Sequence, residues 1–139
     1  MILYLDTTTV LRVLFGERGE LSQWGAWERA YSSELMRVEA RRAIDRARLG
    51  EALDDDGVAA AHQELARIER SIGVVRLTRA VLDRASLPMA TAVRTLDSLH
   101  LASALLYRER RHEEIVFATH DRRQATAARA LGFEVLGCS

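Results

Sequence analysis

Several residue types are scarce in this sequence, and each scarcity excludes a class of protein. The chain has one cysteine, Cys138, so it cannot form an internal disulfide, a pattern typical of a reducing compartment such as the cytoplasm. It has one proline among 139 residues, and 48% of its residues are hydrophobic, a composition that disfavours disorder. Its formal net charge is zero, so composition alone indicates neither a nucleic acid nor a membrane as partner.

Lysine is absent, and all 20 basic residues are arginines. A coding bias towards arginine explains this pattern, and we favour that explanation. The alternative is selection for the planar set of donors that arginine offers to phosphates. Composition does not separate the two.

Long hydrophobic runs are absent too. The apolar run near the N-terminus is interrupted by Asp6 and follows no basic leader, so we expect no signal peptide. No stretch approaches the roughly 20 apolar residues of a membrane span. We therefore expect a soluble cytoplasmic protein, and the length fits one domain over residues 1–139.

Short apolar stretches alternate with longer stretches of helical spacing. Strands are predicted at 2–5, 30–32, 74–77, 115–118 and 134–136. Helices are predicted at 34–49, 56–71, 78–86, 95–109 and 122–131. This alternation predicts an α/β fold in which helices cover both faces of a parallel sheet.

Two other patterns have ordinary structural explanations. Trp24 and Trp27, three residues apart, would share one face of a helix; we expect core packing there, with a partner-facing patch as the alternative. The run 54–56, three aspartates, precedes a predicted helix, and we interpret it as a helix cap in preference to a metal site.

Two aspartates stand just beyond predicted strands. Asp6 ends the stretch "ILYLD", and Asp121 ends "IVFATHD". An unpaired carboxylate is costly to bury, so Asp6 needs a partner. Because ligands of open parallel sheets bind beyond the carboxyl ends of the strands, the two acids are expected at the same edge.

A third acid, Glu39, lies on the predicted helix 34–49. At 100° per residue it falls at the border of the apolar face, between Leu35 and Ala43. A cation shared with other carboxylates would satisfy it there. A salt bridge to Arg42 or Arg46 across the helix surface would do so equally well, and the helix alone does not decide.

The fourth acid, Asp97, lies in the first turn of the helix 95–109, after a predicted Thr95 cap. This helix is apolar around nearly its whole circumference and should be buried. A negative charge at Asp97 interacts favourably with the helix dipole, so a structural role is a credible alternative. His100 stands three residues further on, at metal-ligand spacing, but a hard cation held by carboxylates does not require imidazole, and we do not predict it as a ligand.

Four acids from four elements are thus expected at one crevice: Asp6, Glu39, Asp97 and Asp121. Like charges so close repel unless a cation neutralises them. Oxygen ligands suit Mg²⁺ or Mn²⁺, which bind phosphate oxygens and activate water. The set therefore predicts a metal-dependent phosphodiesterase.

The same stretches resemble the PIN-domain family, in particular the VapC-type toxins of bacterial toxin–antitoxin pairs. "YLDTTTVLRVL" resembles the opening motif, with Asp6 as first metal ligand and Thr8 as the hydroxyl residue two positions later. "SSELMRVEARRA" resembles the second motif, with Ser33 opening the helix and Glu39 as its acid.

Two further motifs follow in the family's order. "VRTLDSLHLASAL" is the most specific and gives Asp97, and "FATHDRRQATAARALGFEVL" gives Asp121 with Thr119 as a supporting hydroxyl. Each motif alone is weak, but four in order between residues 3 and 136 make a specific match.

The resemblance implies a single PIN-like domain with a five-stranded parallel sheet flanked by helices. It implies an endoribonuclease that needs Mg²⁺ or Mn²⁺, forms homodimers and is inhibited by a cognate antitoxin. A housekeeping PIN ribonuclease in RNA maturation, or a non-catalytic module that binds RNA or protein, are the alternatives. Four arginines near the predicted edge are candidates for phosphate contacts, although exposed solvated arginines are common: Arg12, Arg94, Arg122 and Arg123.

Overall fold

The computed structural model describes residues 1–138, which form one five-stranded sheet with strand order β3-β2-β1-β4-β5. Every neighbouring pair is parallel. The strands are β1 (Ile2–Leu5), β2 (Arg29–Ser33), β3 (Gly73–Val75), β4 (Val116–Ala118) and β5 (Glu134–Leu136). The helices are α1 (Thr7–Leu14), α2 (Leu35–Leu49), α3 (Asp55–Ser71), α4 (Arg79–Ala85), α5 (Thr95–Arg111) and α6 (Arg122–Ala130). The predicted α/β fold with a five-stranded parallel sheet is confirmed.

Strand β1 occupies the centre of the sheet. Leu3 lies opposite Ala30 of β2 on one side and opposite Val116 of β4 on the other. Beyond the strand, the backbone N–H of Asp6 donates to the carbonyl of Ala118 at 2.9 Å. A backbone hydrogen bond from Asp6 therefore connects the carboxyl ends of β1 and β4.

The sheet has a hydrophobic core on each face. Leu3 and Leu5 belong to one core, together with buried residues of α1, α2 and α3. Tyr4, between them, belongs to the other, with buried residues of α5 and α6. Successive side chains of a strand point to opposite faces, so one apolar run supplies both cores.

Most predicted boundaries differ from the observed ones by one or two residues. The helix cap predicted in the run 54–56 is confirmed, because Asp54 caps α3 by accepting a hydrogen bond from Gly57 N at 2.8 Å. Thr78 caps α4 by accepting from Val81 N. The cap predicted at Thr95 is wrong, because Arg94 is the N-cap of α5 and makes no side-chain cap bond.

Two local predictions were also incorrect or incomplete. Helix α1 follows β1 directly and was not predicted. Trp24 and Trp27 lie in turns and irregular chain instead of a helix. Their rings nevertheless pack edge to face on each other, with centroids 5.1 Å apart, and both pack against the core that contains Leu3 and Leu5. Core packing of this pair is thus confirmed without the helix.

Across residues 1–138, none of the helices combines the length and the apolar character that crossing a membrane requires.

Candidate active site

Asp6 is a buried carboxylate at the carboxyl end of the central strand, with a relative exposure of 4%. Its Oδ2 accepts hydrogen bonds from the hydroxyls of Thr119 at 2.7 Å and Thr8 at 3.1 Å. Its Oδ1 lies 3.7 Å from Nε2 of His100. The fold therefore satisfies one oxygen of Asp6 with hydroxyls and turns the other towards a histidine.

Glu39 reaches the same region from the second turn of α2. Its Oε1 accepts hydrogen bonds from the Thr7 hydroxyl at 2.7 Å and from Nε2 of His100 at 2.7 Å. Burial raises the pKa of Glu39, but the hydrogen bonds and charge of His100 and the bond from Thr7 lower it below its ordinary value overall. Glu39 is therefore held as a carboxylate.

The salt bridge considered for Glu39 across the surface of α2 does not form. Arg42 pairs instead with Asp45 at 3.4 Å. Within residues 1–138, Glu39 makes no ion pair with Arg46 either. Glu39 turns inward instead, where it accepts hydrogen bonds from Thr7 and His100.

His100 lies between these acids and the core, with a relative exposure of 1%. The Tyr4 hydroxyl is 2.7 Å from Nδ1, and Thr7 Oγ1 is 3.1 Å from Nε2. Burial lowers the pKa of His100, but the hydrogen bond to Glu39 and the negative charges of Asp6 and Glu39 raise it above its ordinary value overall. His100 was not predicted as a metal ligand, because a hard cation held by carboxylates does not require imidazole. Its contact with Glu39 was missed, since spacing along α5 reveals nothing of contacts with α2.

Asp97 enters from the first turn of α5 and is partly exposed. Burial raises the pKa of Asp97 above its ordinary value, and the negative charges of Asp6 and Asp121 raise it further. The fully buried side chain of Gln124 donates from Nε2 to the main-chain carbonyl of Asp97 at 3.0 Å. Gln124 was also missed from the sequence, and it ties the start of α5 to α6.

Asp121 has a second role as the N-cap of α6. Its Oδ1 accepts from Gln124 N at 3.1 Å, and its own backbone N–H donates to the Thr119 hydroxyl at 3.0 Å. Since the same hydroxyl donates to Asp6, Thr119 links the two acids. Thr8 makes a similar link, because its hydroxyl accepts from His120 N at 2.9 Å while donating to Asp6.

Ser33 lies at the end of β2, buried at 1% exposure. Its hydroxyl accepts a hydrogen bond at 3.0 Å from the backbone N–H of Leu35, the first residue of α2. Ser33 thus acts at the start of the helix that carries Glu39.

Two adjoining cavities lie at this edge of the sheet. The first has a volume of about 330 Å³ and combines three acids, two threonines and two arginines: Asp6, Glu39, Asp97, Thr7, Thr8, Arg42 and Arg46. The second has a volume of about 360 Å³ and includes Asp121, Thr8 and Arg12. The structure therefore brings Asp6, Glu39 and Asp97 to one cavity and places Asp121 on its neighbour, with Thr8 common to both.

The donor chemistry of the first cavity fits a hard divalent cation. Asp6 Oδ1 and the carboxylate of Asp97 are oxygen donors, and their mutual repulsion is the kind that a cation relieves. In the described part of the chain, no group of three or more His, Cys, Asp or Glu side chains already stands at metal-binding distances. To bind one cation together, the carboxylates of Asp6, Glu39 and Asp97 would have to move closer to one another.

This fold and this acidic cavity define a PIN domain, and the chain belongs to the PIN-domain family, whose model matches residues 3–130. It is similar to Ribonuclease VapC47 of Mycobacterium tuberculosis (strain CDC 1551 / Oshkosh), with 30% identity over an alignment of 140 positions that covers 95% of this chain and 93% of that protein.

Solved structures share the fold at low sequence identity. A toxin–antitoxin complex from Klebsiella pneumoniae contains a chain with a TM-score of 0.65 at 15% identity, covering 92% of this chain and 93% of that one. VapBC2 from Rickettsia felis, bound to a DNA fragment from its promoter, contains one with a TM-score of 0.69 at 10% identity, covering 98% and 99%. These likenesses establish the fold over nearly the whole chain.

Proposed function

We propose that residues 1–139 form one nuclease domain, a metal-dependent endoribonuclease that acts as the toxin of a VapBC-type toxin–antitoxin pair. The observation that carries the proposal is the meeting of Asp6, Glu39 and Asp97, from three separate elements, in one cavity of a PIN domain. The similarity to a VapC ribonuclease over 95% of the chain supports the same activity. RNA is the proposed substrate.

Asp6, Glu39 and Asp97 are the proposed ligands of Mg²⁺ or Mn²⁺, with Asp121 beside them. When bound, such a cation supplies an activated water and stabilises charge at the phosphorus. The chain's own residues prepare the site: Thr119 and Thr8 fix Asp6, while Thr7 and His100 fix Glu39.

Arginines of the cavity are proposed to bind the RNA backbone. Arg42 and Arg46 line the cavity beside the acids. Arg42 keeps donors free because its pairing with Asp45 uses one nitrogen at 3.4 Å. Guanidinium groups suit phosphate oxygens, so these two side chains place a phosphodiester beside the carboxylates.

A cognate antitoxin is the proposed protein partner, acting in the cytoplasm on a homodimer of this chain. Apolar side chains at the mouth of the cavity support a protein partner there: Val38 is 59% exposed and Leu96 is 47% exposed. A segment that covers them would close the site to RNA.

The test is cleavage of total RNA by the purified protein with Mn²⁺, with Mg²⁺ and with excess EDTA. We expect endonucleolytic fragments with either cation and none with EDTA. Undiminished cleavage in EDTA would refute the metal requirement. Binding of RNA without cleavage would favour the non-catalytic module.

Induction in a host that lacks the antitoxin separates the two enzymatic alternatives. A toxin arrests growth, and co-expression of the small protein encoded beside it restores growth. Normal growth during induction, with active enzyme present, would favour a housekeeping ribonuclease. Mapping the cleaved RNAs after brief induction identifies the substrate.

A further inference from the structure

We infer that His100 is a positioning residue, which holds Oε1 of Glu39 so that Oε2 stays free for the cation. The inference rests on the proposed function, because it assigns Glu39 to a divalent cation. It gives a role to a histidine that is buried and does not need to contact RNA or metal.

The hydrogen-bond chemistry fixes the direction of the bond between His100 and Glu39. A carboxylate can only accept, so Nε2 of His100 carries the proton and donates to Oε1 at 2.7 Å. The Thr7 hydroxyl donates to the same oxygen at 2.7 Å. Within residues 1–138, no hydrogen bond reaches Oε2 of Glu39. Two donors therefore converge on one oxygen and leave the other to the cavity that Glu39 lines.

His100 is itself anchored to the centre of the sheet. Its Nδ1 lies 2.7 Å from the Tyr4 hydroxyl, and the two rings meet edge to face at 5.9 Å. Tyr4 stacks in turn on Phe117 of β4 at 5.3 Å. Tyr4, Phe117 and His100 are each at most 1% exposed, so the chain of contacts has little freedom to move.

This anchoring matters because Glu39 lies at the border between the buried and the exposed faces of α2. Val38 and Arg42, beside it, are exposed. A glutamate has three rotatable side-chain bonds, and immobilising it when the metal binds has an entropic cost. Because the hydrogen bonds from His100 and Thr7 already order the side chain when the protein folds, metal binding no longer carries that entropic cost. Partners of this type, which orient a ligand without touching the metal, typically change metal affinity or activity about 10- to 100-fold.

A simpler explanation is that His100 only fills the core and satisfies the Tyr4 hydroxyl. The two explanations differ in what His100→Leu does to metal binding. Loss of packing and of a buried hydrogen bond would lower the melting temperature and leave the affinity of the folded protein for Mn²⁺ unchanged. Loss of positioning would weaken Mn²⁺ binding by the folded protein.

The experiment measures Mn²⁺ binding by calorimetry on folded full-length protein, alongside the melting temperature without metal. We expect His100→Leu to raise the Mn²⁺ dissociation constant about 10- to 100-fold. His100→Gln can place an N–H near the position of Nε2 and should restore most of the affinity. Ile115→Val, a buried position in the same core, is the control: it should lower the melting temperature and leave Mn²⁺ affinity unchanged.

A double-mutant cycle with Glu39→Ala tests whether the effect passes through Glu39. In that background we expect His100→Leu to cause no further loss of Mn²⁺ affinity. If His100→Leu does not fold, Tyr4→Phe replaces it in the cycle, since it removes only the hydroxyl that anchors Nδ1. An equal loss in both backgrounds, or unchanged affinity in the folded single variant, would overturn the inference.

The outcome for the wild-type protein separates this inference from the proposed function. A wild type that binds no Mn²⁺ and cleaves no RNA refutes the function, and the inference falls with it. A wild type that binds Mn²⁺ and cleaves RNA, combined with an unaffected His100→Leu, refutes the inference alone.

Discussion

Asp6 and Asp97 contribute differently to the site, although both are aspartates in the same cavity. Asp6 is buried and receives two hydroxyl hydrogen bonds on one oxygen. Asp97 is more exposed and is repelled by the negative charges of Asp6 and Asp121, without a comparable set of hydrogen-bond donors. The fold thus holds Asp6 in position and leaves Asp97 under the kind of repulsion that a bound cation would relieve.

Replacing Asp97 by asparagine should separate stability from metal binding. The substitution preserves size and removes one of the repelling charges, so the melting temperature without metal should stay the same or rise. The remaining charge holds the cation less well, so Mn²⁺ affinity and RNA cleavage should fall. Thermal melting with and without Mn²⁺, together with a cleavage assay, measures both effects. Asp6→Asn should lose activity in the same way.

Asp45 and Asp83 supply matched controls for the loss of one negative charge. Asp45 pairs with Arg42 and Arg48 on the outer side of α2, and Asp83 is exposed on α4. Exposed pairs of this kind contribute little to stability. Asp45→Asn and Asp83→Asn should stay close to the wild type in growth arrest and in melting. A toxic Asp97→Asn beside an inactive Asp45→Asn would mean that the site lies at other carboxylates.

At the scale of the element, Asp121 caps α6 and also lines the cavity that adjoins the acidic one. As N-cap of α6 it accepts from Gln124 N, so Asp121→Ala should cost about 1 kcal/mol of unfolding free energy. Asp121→Asn keeps a capping oxygen and should lose much less stability. Because Asp121 lies on the adjoining cavity, its asparagine variant should lose less activity than Asp97→Asn, and higher Mn²⁺ concentrations should partly restore it.

The cap of α3 provides the control for this prediction. Asp54 accepts from Gly57 N at 2.8 Å and lines neither of the two cavities described above. Asp54→Ala should therefore lower the urea midpoint much as Asp121→Ala does while RNA cleavage stays normal. An Asp121→Asn variant as inactive as Asp97→Asn would show that Asp121 is a full partner of the cation.

Elements with a strong local signal were predicted well from the sequence. The bounds of β1 follow from four apolar residues that stop at a charge. Helix α1 was missed because its three threonines are β-branched and favour strands when considered alone. In the fold, Thr9 is buried and donates to the carbonyl of Asp6 at 2.7 Å, so contacts with the strand end stabilise a helix that propensity disfavours.

The candidate site divides in the same manner. Asp6 and Asp97 could be located because each stands at the end or start of an element whose boundary the sequence marks. His100 could not, because its bond to Glu39 joins positions separated by 61 residues and depends on how α5 packs against α2. The periodicity of one helix indicates which side faces the core. It does not indicate which polar group of another element that side will contact.

At the scale of the whole molecule, a bound cation should stabilise the fold. A ligand that binds only the folded state at 100 times its dissociation constant adds about 2.7 kcal/mol, which raises the melting temperature by several degrees. We expect this rise with Mn²⁺ and Mg²⁺, its reversal by EDTA, and its reduction in Asp97→Asn. Asp83→Asn should show the full rise. Equal melting curves with and without Mn²⁺ in the wild type would contradict a metal site in the folded protein.

The order of the strands has a consequence for the newly made chain. A ribosome adds Asp6 to the chain 113 residues before Thr119, whose hydroxyl donates to it. Strand β1 cannot pair on one side until β4 has been made, and strands so far apart along the chain pair slowly during folding. A polypeptide released early by a stalled ribosome therefore carries the first acid without its hydroxyl partner or the fourth acid. The proposed site can assemble only after the chain has been extended past Thr119 and Asp121, so copies that end before these residues should be harmless to the cell that makes them.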